Sequence, residues 1–434
     1  MSALSRNERS AIVGLAAVVA VTAATVVFWL AGSGSLLAGG GASALIALGR
    51  LAGLALMLLV LAQLVLASRA PFLDLFGGLV PFRLHRDIGF GIIAVLALHV
   101  ALLSGGYALL NGTTVTEQFG AFVASWEDVA AALVATVVII VVGVFSIRAI
   151  RRRFRYETWY LAHLALYAAI LLAVGHQIAS GDMASGAARA FWFSLIAAVF
   201  AVFFAYRVAR PLWYFFRCSF RVARVVQETP STMSIYITGR DLESFHFEAG
   251  QYAHVTFLAR GASSHHPFSF SKPYDGKEIR FTIRALGDFT GAIGDLRAGT
   301  PVIIDGPMGH FTRQVAMTGK YCFVAGGVGI TPIVSLALSL PDPSTAVAFV
   351  SNSTREDAPL VDELRRAGVV LHEYYSHGDP SARIDGDKIL RACPGVRERD
   401  IYICGPEGMT GSLVDALSAQ GVPRAQIHTE PFAY

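Results

Sequence analysis

The sequence predicts a membrane protein in three parts: a six-helix transmembrane bundle, an antiparallel β-barrel and an α/β nucleotide-binding domain. Two observations fix the first part. Up to about residue 206 the chain is a series of long apolar runs, and arginines recur in alternate connections between them. A third observation fixes the rest: beyond residue 210 glycine, proline and mixed charge return, with short alternating segments followed by a strand, a glycine turn and an apolar helix. A length of 434 residues accommodates several domains. The expected boundaries are 1–210, 211–315 and 316–434.

A helix needs about 20 apolar residues to cross the hydrocarbon core. Six segments qualify: 11–31, 42–66, 87–110, 129–147, 160–179 and 190–206. The first is too long for a cleaved signal peptide, lacks a convincing cleavage site and is soon followed by the second. Arg6 and Arg9 precede it; Arg69, Arg83 and Arg86 separate spans two and three. Arg148, Arg151, Arg152, Arg153 and Arg155 separate spans four and five, and Arg207, Arg210, Arg217, Arg221 and Arg224 follow span six. The positive-inside rule then puts both termini and the whole soluble half in the cytoplasm, with the protein in a plasma membrane. The 111–128 loop, with Glu117, Glu127 and Asp128, is the largest external feature. A net charge of +4, with basic residues beside apolar runs, points to a lipid bilayer and away from nucleic acid. The four cysteines (Cys218, Cys322, Cys393 and Cys404) form no CxxC pair, which argues against disulfides and structural zinc.

The first 210 residues hold four histidines: His85 and His99 on span three, 14 residues apart, and His163 and His176 on span five, 13 apart. Ligand-capable groups inside a membrane are costly and suggest function. Each spacing is about 20 Å along a helix, and both spans run in the same direction. His85 and His163 therefore share an inner level, and His99 and His176 an outer one. One imidazole from each helix at each level is what two stacked bis-histidine haems require. The alternative, isolated histidines bonding neighbouring helices, leaves the matched depths unexplained. Thirteen residues do not return to one helix face, so span five is expected to bend or unwind, with Gly175 as the candidate. Arg50, inside span two near its outer end, is expected beside the outer haem, or else snorkels to the interface. Arg83 and Arg86 could serve the inner haem or anchor the interface.

In the soluble half, runs such as 220–226, 233–238 and 252–257 alternate β-branched or aromatic with polar residues, as barrel strands do. The barrel is expected to end near Phe311. A buried strand at 321–325 then leads into Gly326-Gly-Val-Gly-Ile-Thr-Pro332 and a helix at 333–340, with further strands at 346–350 and 400–404. Glycines at this turn let a pyrophosphate approach backbone N–H groups at the helix start. Within the barrel, His266-Pro-Phe-Ser-Phe-Ser271 offers an aromatic ring and hydroxyls to a flavin. The segment Ile283-Arg-Ala-Leu-Gly-Asp-Phe-Thr290 offers a cation, a glycine and a hydroxyl to a diphosphate. After the strand ending at Val350, Ser351-Asn-Ser-Thr-Arg355 faces the expected adenosine ribose. Arg355 there favours the 2′-phosphate of NADPH over NADH; otherwise it pairs on the surface with Glu356 or Asp357.

Taken together, these motifs resemble the ferric reductase and NADPH oxidase superfamily over nearly the whole chain. The resemblance implies two haem b groups held by His85, His99, His163 and His176. It implies FAD on the His-Pro-Phe-Ser signature: His266 at the phosphate or ribityl side, Pro267 within the motif, Phe268 stacked near the ring and Ser269 bonding the N5 region. Arg284, Gly287 and Thr290 match the second FAD segment. Gly326, Gly327, Gly329, Thr331 and Pro332 match the nicotinamide pyrophosphate loop, and Cys404, Gly405 and Pro406 the motif beside the nicotinamide. Glu430 and Phe432 match a terminal acidic–x–aromatic pattern, although two residues follow Phe432. Ser269, Cys404 and Phe432 are thus the expected catalytic residues. The implied route runs from cytoplasmic NADPH or NADH to FAD, the inner haem, the outer haem and an external acceptor. Dioxygen, giving superoxide, is favoured because the external connections are short and carry no acidic or histidine-rich metal-docking cluster. A ferric chelate or a periplasmic redox protein is the alternative. Leu103 stands where many animal-type oxidases carry a further histidine. There is no EF-hand or regulatory extension, so no calcium and no regulatory subunit are expected. A reading of a different class is a transporter or proton relay with a nucleotide-sensing domain, whose histidines titrate instead of binding iron.

Overall fold

The computed structural model describes all residues except 1–5, 77–79, 126, 148–149, 151–152, 155, 180, 286–290 and 433–434. Side chains are also not described at 6–11, 74–76, 80–82, 125, 127–128, 156–157, 179, 380 and 431–432. Gly287, Thr290, Arg148, Arg151, Arg152 and Arg155 therefore lie outside the described residues, as does the side chain of Phe432. The chain divides into two units, Met1–Arg207 and Val208–Tyr434.

The first unit is helical: α1 (Arg6–Ser33), α2 (Gly41–Ala67), α3 (Val80–Asn111), α4 (Val115–Ser125), α5 (Glu127–Ser146), α6 (Tyr156–Ala179) and α7 (Gly186–Phe204). Six helices of the described chain are long and apolar enough to cross a membrane, as expected. Leu15, Val18, Leu98, Leu161 and Leu171 stand exposed on them. Such surfaces suit hydrocarbon and would be unfavourable in water. Inside the bundle, Met57, Leu61, Leu64, Ile92, Trp192 and Ile196 form a shared core. α2 and α3 approach closely because small residues line their seam. A Cβ at Gly49 would lie 2.8 Å from Leu103, and one at Gly106 would lie 2.8 Å from Ile46.

Two expectations need correction here. The 111–128 connection is not a plain loop, since α4 occupies most of it; Thr114 starts that helix with hydrogen bonds between its backbone N–H and hydroxyl and Glu117. Of the bend or unwinding expected at Gly175, the unwinding is absent, since helix α6 continues past it without interruption. One interior glycine costs a helix only about 1 kcal/mol, which flanking apolar residues readily offset.

The second unit opens with a helix that the sequence reading did not anticipate, α8 (Arg210–Cys218), following a single π turn at Ala205–Ala209. Two three-stranded antiparallel sheets come next, ordered β1-β2-β5 and β4-β3-β6. The strands are β1 (Arg221–Thr229), β2 (Thr232–Thr238), β3 (Tyr252–Phe257), β4 (His266–Ser269), β5 (Ile279–Arg284) and β6 (Val302–Met308). Bridges between Phe270 and Phe281 and between Arg221 and Pro301 tie the two sheets edge to edge. Their inward faces bury Phe220, Ile235, Phe245, Val255, Phe270 and Phe281 in one core.

A five-stranded parallel sheet follows, ordered β11-β10-β7-β8-β9. Its strands are β7 (Tyr321–Gly326), β8 (Val347–Asn352), β9 (Val370–Tyr375), β10 (Asp400–Pro406) and β11 (Ile427–Phe432). Helices α9 (Ile330–Leu338), α10 (Val361–Arg366), α11 (Gly386–Ala392) and α12 (Glu407–Ala419) accompany it. β7 and β10 are fully buried apolar runs for most of their length, as central parallel strands require. The chain leaves β7 toward β8 on one side, while β10 lies on the other. The crevice at their carboxyl ends is therefore the topological switch point, where open α/β sheets bind ligands.

Candidate functional site

In the helical unit, α3 and α6 carry the four histidines. The His85 and His163 rings face each other with centroids 6.1 Å apart and planes inclined by 48°. Trp159, one turn before His163, packs against its ring at 5.0 Å. Among the described residues, His163 Nδ1 is buried without a hydrogen-bond partner. An imidazole pair from two helices with such a buried ring nitrogen is the donor chemistry a haem iron takes.

At the other level, His99 Nδ1 lies 2.8 Å from the carbonyl oxygen of Gly49. A carbonyl only accepts, so Nδ1 carries the proton and Nε2 keeps its lone pair for a ligand. Gly53 makes this possible, because a Cβ there would lie 2.6 Å from His99 Cε1. His176 is half-buried on α6, and its neighbour Gln177 accepts a 2.9 Å hydrogen bond from the fully buried Trp192. Because α6 is unbroken, His163 and His176 leave it from faces about 140° apart, against about 40° for the pair on α3. Arg50 donates to the Ser33 hydroxyl at 3.2 Å and stands 3.6 Å from the buried Asp182 carboxylate, which Ser33 also contacts. Asp182 and Ser33 were not singled out from sequence. Arg86 pairs at 2.9 Å with Asp87 on the surface.

In the second unit, the flavin-signature segment forms β4 and pairs with β3 in the register Tyr252–Ser269, Ala253–Phe268, His254–Pro267 and Val255–His266. Pro267 is exposed, His266 and Phe268 are half-buried, and Ser269 is buried. His266 Nε2 lies 3.2 Å from the Ser264 hydroxyl. Phe268 also packs against the barrel core.

Arg284, at the end of β5, reaches the nucleotide half. Its guanidinium binds Asp357 at 2.5 Å, and Asp357 also accepts from Thr229 at 2.9 Å and from Ser231. A Cβ at Gly327 would lie 3.8 Å from Arg284 Nη1, so this cation stands beside the glycine loop. Four residues earlier on the same face of β5, the buried Arg280 makes a two-pronged pair with Glu363 of α10. A planar guanidinium matched to a carboxylate fixes orientation as well as charge. The barrel and the parallel sheet are thus clamped together at two points.

The two glycine-rich elements meet at the switch point. A Cβ at Gly329 would lie 2.2 Å from the Cys404 carbonyl oxygen, and one at Gly405 would lie 3.2 Å from Gly326 Cα. Gly327 holds a left-handed φ of +56°, which a side chain would resist. Thr331 turns its hydroxyl back to the Val328 carbonyl at 3.0 Å, steadying the loop, and Pro332 sits buried in the first turn of α9. Cys404 is fully buried and its thiol points to the Glu430 carbonyl at 3.1 Å. Burial, then the nearby Glu430 charge, pushes this thiol well above its ordinary range, so it stays neutral and cannot act as a nucleophile.

Arg355 is exposed after β8. Asp357, a surface partner considered for it, is instead committed to Arg284. The charge of Arg355 is felt at Glu373 on β9. Burial raises that carboxyl, but hydrogen bonds from Tyr375 and Arg365, helped by the charges of Arg365 and Arg355, hold it below its ordinary range. Tyr375 and Glu373 carry no motif and were not found from sequence.

Known proteins match the two halves separately. Residues 48–174 match the family described as ferric reductase like transmembrane component. The remainder is similar to the reductase component of propane 2-monooxygenase from Rhodococcus jostii (strain RHA1), 26% identical over 233 residues, covering 49% of this chain and 62% of that protein. It is similar also to a flavohemoprotein of Pseudomonas putida, 26% identical over 229 residues, covering 49% of this chain and 58% of that one. The chain thus spans about three fifths of the length of these two relatives. Among solved structures, the flavohem-like FAD/NAD binding domain of nitric oxide dioxygenase from Vibrio cholerae matches at 21% identity and a TM-score of 0.43, over 49% of this chain and 97% of that one. The N-terminal half thus matches a ferric reductase like transmembrane component, and the C-terminal half matches ferredoxin-reductase type FAD/NAD-binding modules.

Proposed function

We propose that this chain is a membrane oxidoreductase that takes electrons from NADPH through FAD to two haem b groups and delivers them across the membrane, most favourably to dioxygen. The observation that carries the reading is the facing pair of His85 and His163 rings from α3 and α6. When bound, flavin would turn a two-electron hydride into single electrons and the haems would relay them. His85 and His163 would hold the inner group, and His99 and His176 the outer. The Gly49 carbonyl orients His99, as outer partners of metal-binding histidines do. Arg50, neutralised in part by Asp182, supplies positive charge near that level. Phe268 and Ser269 would meet the flavin ring, and Arg284, steered by Asp357, its diphosphate. Gly326, Gly327 and Gly329 leave space for the nicotinamide pyrophosphate, while Cys404, Gly405 and Pro406 wall the crevice beside it. By the arginine distribution, the soluble half lies in the cytoplasm and the outer histidines face away from it.

Dioxygen is preferred to a ferric chelate because the outer connections are short, with no cluster suited to docking a metal complex. An optical spectrum of the purified protein tests the reading against the transporter alternative. Low-spin b-type bands are expected, and a colourless protein would exclude electron transfer through haem.

Two substitutions probe the details. Gly53→Ala drives a methyl into the His99 ring and is expected to weaken retention of the outer haem by about 10- to 100-fold, leaving the inner one. Gly91→Ala, with open space around it, should change neither. Quantifying haem per protein after dialysis against apomyoglobin reads this out, and equal retention in both variants would remove Gly53 from the account. For the donor, a 2′-phosphate bonded by Arg355 contributes about 1–3 kcal/mol, roughly 5- to 150-fold in affinity. Arg355→Ala should raise the KM for NADPH by such a factor and leave that for NADH unchanged. Equal losses with both donors would make Arg355 a surface residue.

A further inference from the structure

Helix α8 is apolar on two opposite faces. Pro211, Tyr214 and Cys218 turn toward the barrel, where Tyr214 meets Phe245 edge-on at 4.9 Å. Leu212, Trp213 and Phe216 occupy the other side and stand 44%, 53% and 70% exposed. A nine-residue helix with one face already buried in a core has no folding reason to display three large apolar side chains on the other.

The far end of α8 is built firmly onto the barrel. Ser219 ends the helix with a left-handed φ of 48°. The Cys218 carbonyl accepts from the Arg240 N–H at 2.6 Å, and a Cβ at Gly239 would lie 2.4 Å from that same oxygen. This close approach shapes a cleft of about 350 Å³ lined by Ser219, Arg221, Thr238, Gly239 and Arg240. Arg221 and Thr238 stand opposite each other on β1 and β2. Among the described residues the partners of the two guanidiniums are neutral: Arg221 donates to the Gly299 carbonyl and Arg240 to the Ser219 hydroxyl, each at 3.0 Å. Arg217, on the last turn of α8, is already paired with Asp241 at 2.5 Å. Two uncompensated cations and two hydroxyl groups thus line a cleft next to an exposed aromatic face.

Chain continuity selects the occupant. The chain is helical without a break from Gly186 to Cys218, so α8 begins within two turns of a helix long and apolar enough to cross a membrane. We propose that α8 lies in the membrane surface on the side of the soluble half, with Leu212, Trp213 and Phe216 among the acyl chains and the cleft of Arg221 and Arg240 around an anionic phospholipid headgroup. Aromatic residues favour this depth, and basic residues beside them attract anionic lipid. The inference stands whichever way the protein is oriented and whatever its acceptor.

The full-length protein in phosphatidylcholine nanodiscs, with or without phosphatidylglycerol, tests it. The four native cysteines are buried, so an environment-sensitive fluorophore can be placed selectively at Phe216→Cys, with the exposed Ser412→Cys as reference. Expected is strong quenching at position 216 by doxyl-labelled lipid and shielding from aqueous iodide, and the reverse at 412. Iodide access at 216 equal to that at 412 would overturn the proposal. So would shielding without lipid quenching, which would mean that protein, a second copy included, covers the face. For the headgroup, spin-labelled phosphatidylglycerol should be immobilised in preference to phosphatidylcholine, and Arg221→Gln/Arg240→Gln should reduce that preference by about fivefold or more. An unchanged preference would remove the cleft from the proposal.

Discussion

His85→Ala or His163→Ala should leave a protein with one haem in place of two, and so should His99→Ala or His176→Ala. Loss of either group should abolish NADPH-driven reduction of an acceptor beyond the membrane, because each is one of the two stations proposed to span it. The two pairs should differ in what survives. Without the outer group the inner one should still be reduced by NADPH through the flavin. Without the inner group the outer one should stay oxidised. Haem content by pyridine haemochrome and the extent of haem reduction under anaerobic NADPH separate these cases. Two-haem occupancy in any single variant would strike that histidine from the ligand set. Conservative folding is expected, since the Gly49–Leu103 and Gly106–Ile46 contacts of the α2–α3 seam and the core around Trp192 are made without these rings.

Gly329→Ala is the second large effect. Gly329 has an ordinary helical φ of −58°, so its backbone would accept alanine without strain. Space is what forbids it: the new methyl would lie 2.2 Å from the Cys404 carbonyl and 3.0 Å from the Gly405 nitrogen. Backbone atoms cannot rotate aside as a side-chain tip can. The glycine loop and the Cys404-Gly-Pro turn must therefore separate, opening the crevice in which the nicotinamide is expected. A shift of about 1 Å at a reacting centre can lower a rate by about 100-fold, and overpacking of this kind costs about 1–3 kcal/mol of stability. Flavin reduction by NADPH should fall by about that factor, with FAD and haem contents unchanged. Gly411→Ala, in open space on α12, is the matched control and should be neutral. Stopped-flow flavin reduction distinguishes the two; an unaffected rate in Gly329→Ala would place hydride transfer elsewhere.

Much of this was legible in the sequence because it depends on local periodicity. Apolar length alone gave the six spanning helices. A strand followed by Gly326-Gly-Val-Gly marked the βα turn, because a turn that close needs glycine wherever it lies in a fold. The helical rise equates 13 and 14 residues to about one depth, so His85 and His163, whose rings face each other, could be paired without knowing how helices pack. What escaped depends on distant partners. Asp357 bonds Arg284 across 73 residues of chain, and nothing around either residue signals it; the nearer Arg355 was the natural guess. Asp182 carries no motif, and only helix packing puts it beside Ser33 and Arg50. Helix α8 was hidden for a different reason: its aromatic residues suit a strand as well as a helix. The unwinding offered at Gly175 as one way for the two histidines of α6 to share a face does not occur in the continuous helix.

The central claim is that electrons cross the bilayer, entering at the nucleotide crevice of the soluble half and leaving near His99 and His176. Purified protein in sealed vesicles, with its soluble half facing the bath, tests this most directly. NADPH is added outside, and a membrane-impermeant acceptor, cytochrome c with or without superoxide dismutase, is trapped within. The account predicts reduction of the trapped acceptor that requires bath NADPH, disappears in His99→Ala and is suppressed by luminal dismutase if dioxygen is the carrier. Reduction confined to acceptors in the bath, unchanged by His99→Ala, would contradict it and leave the soluble half a flavin reductase that sends nothing through the membrane.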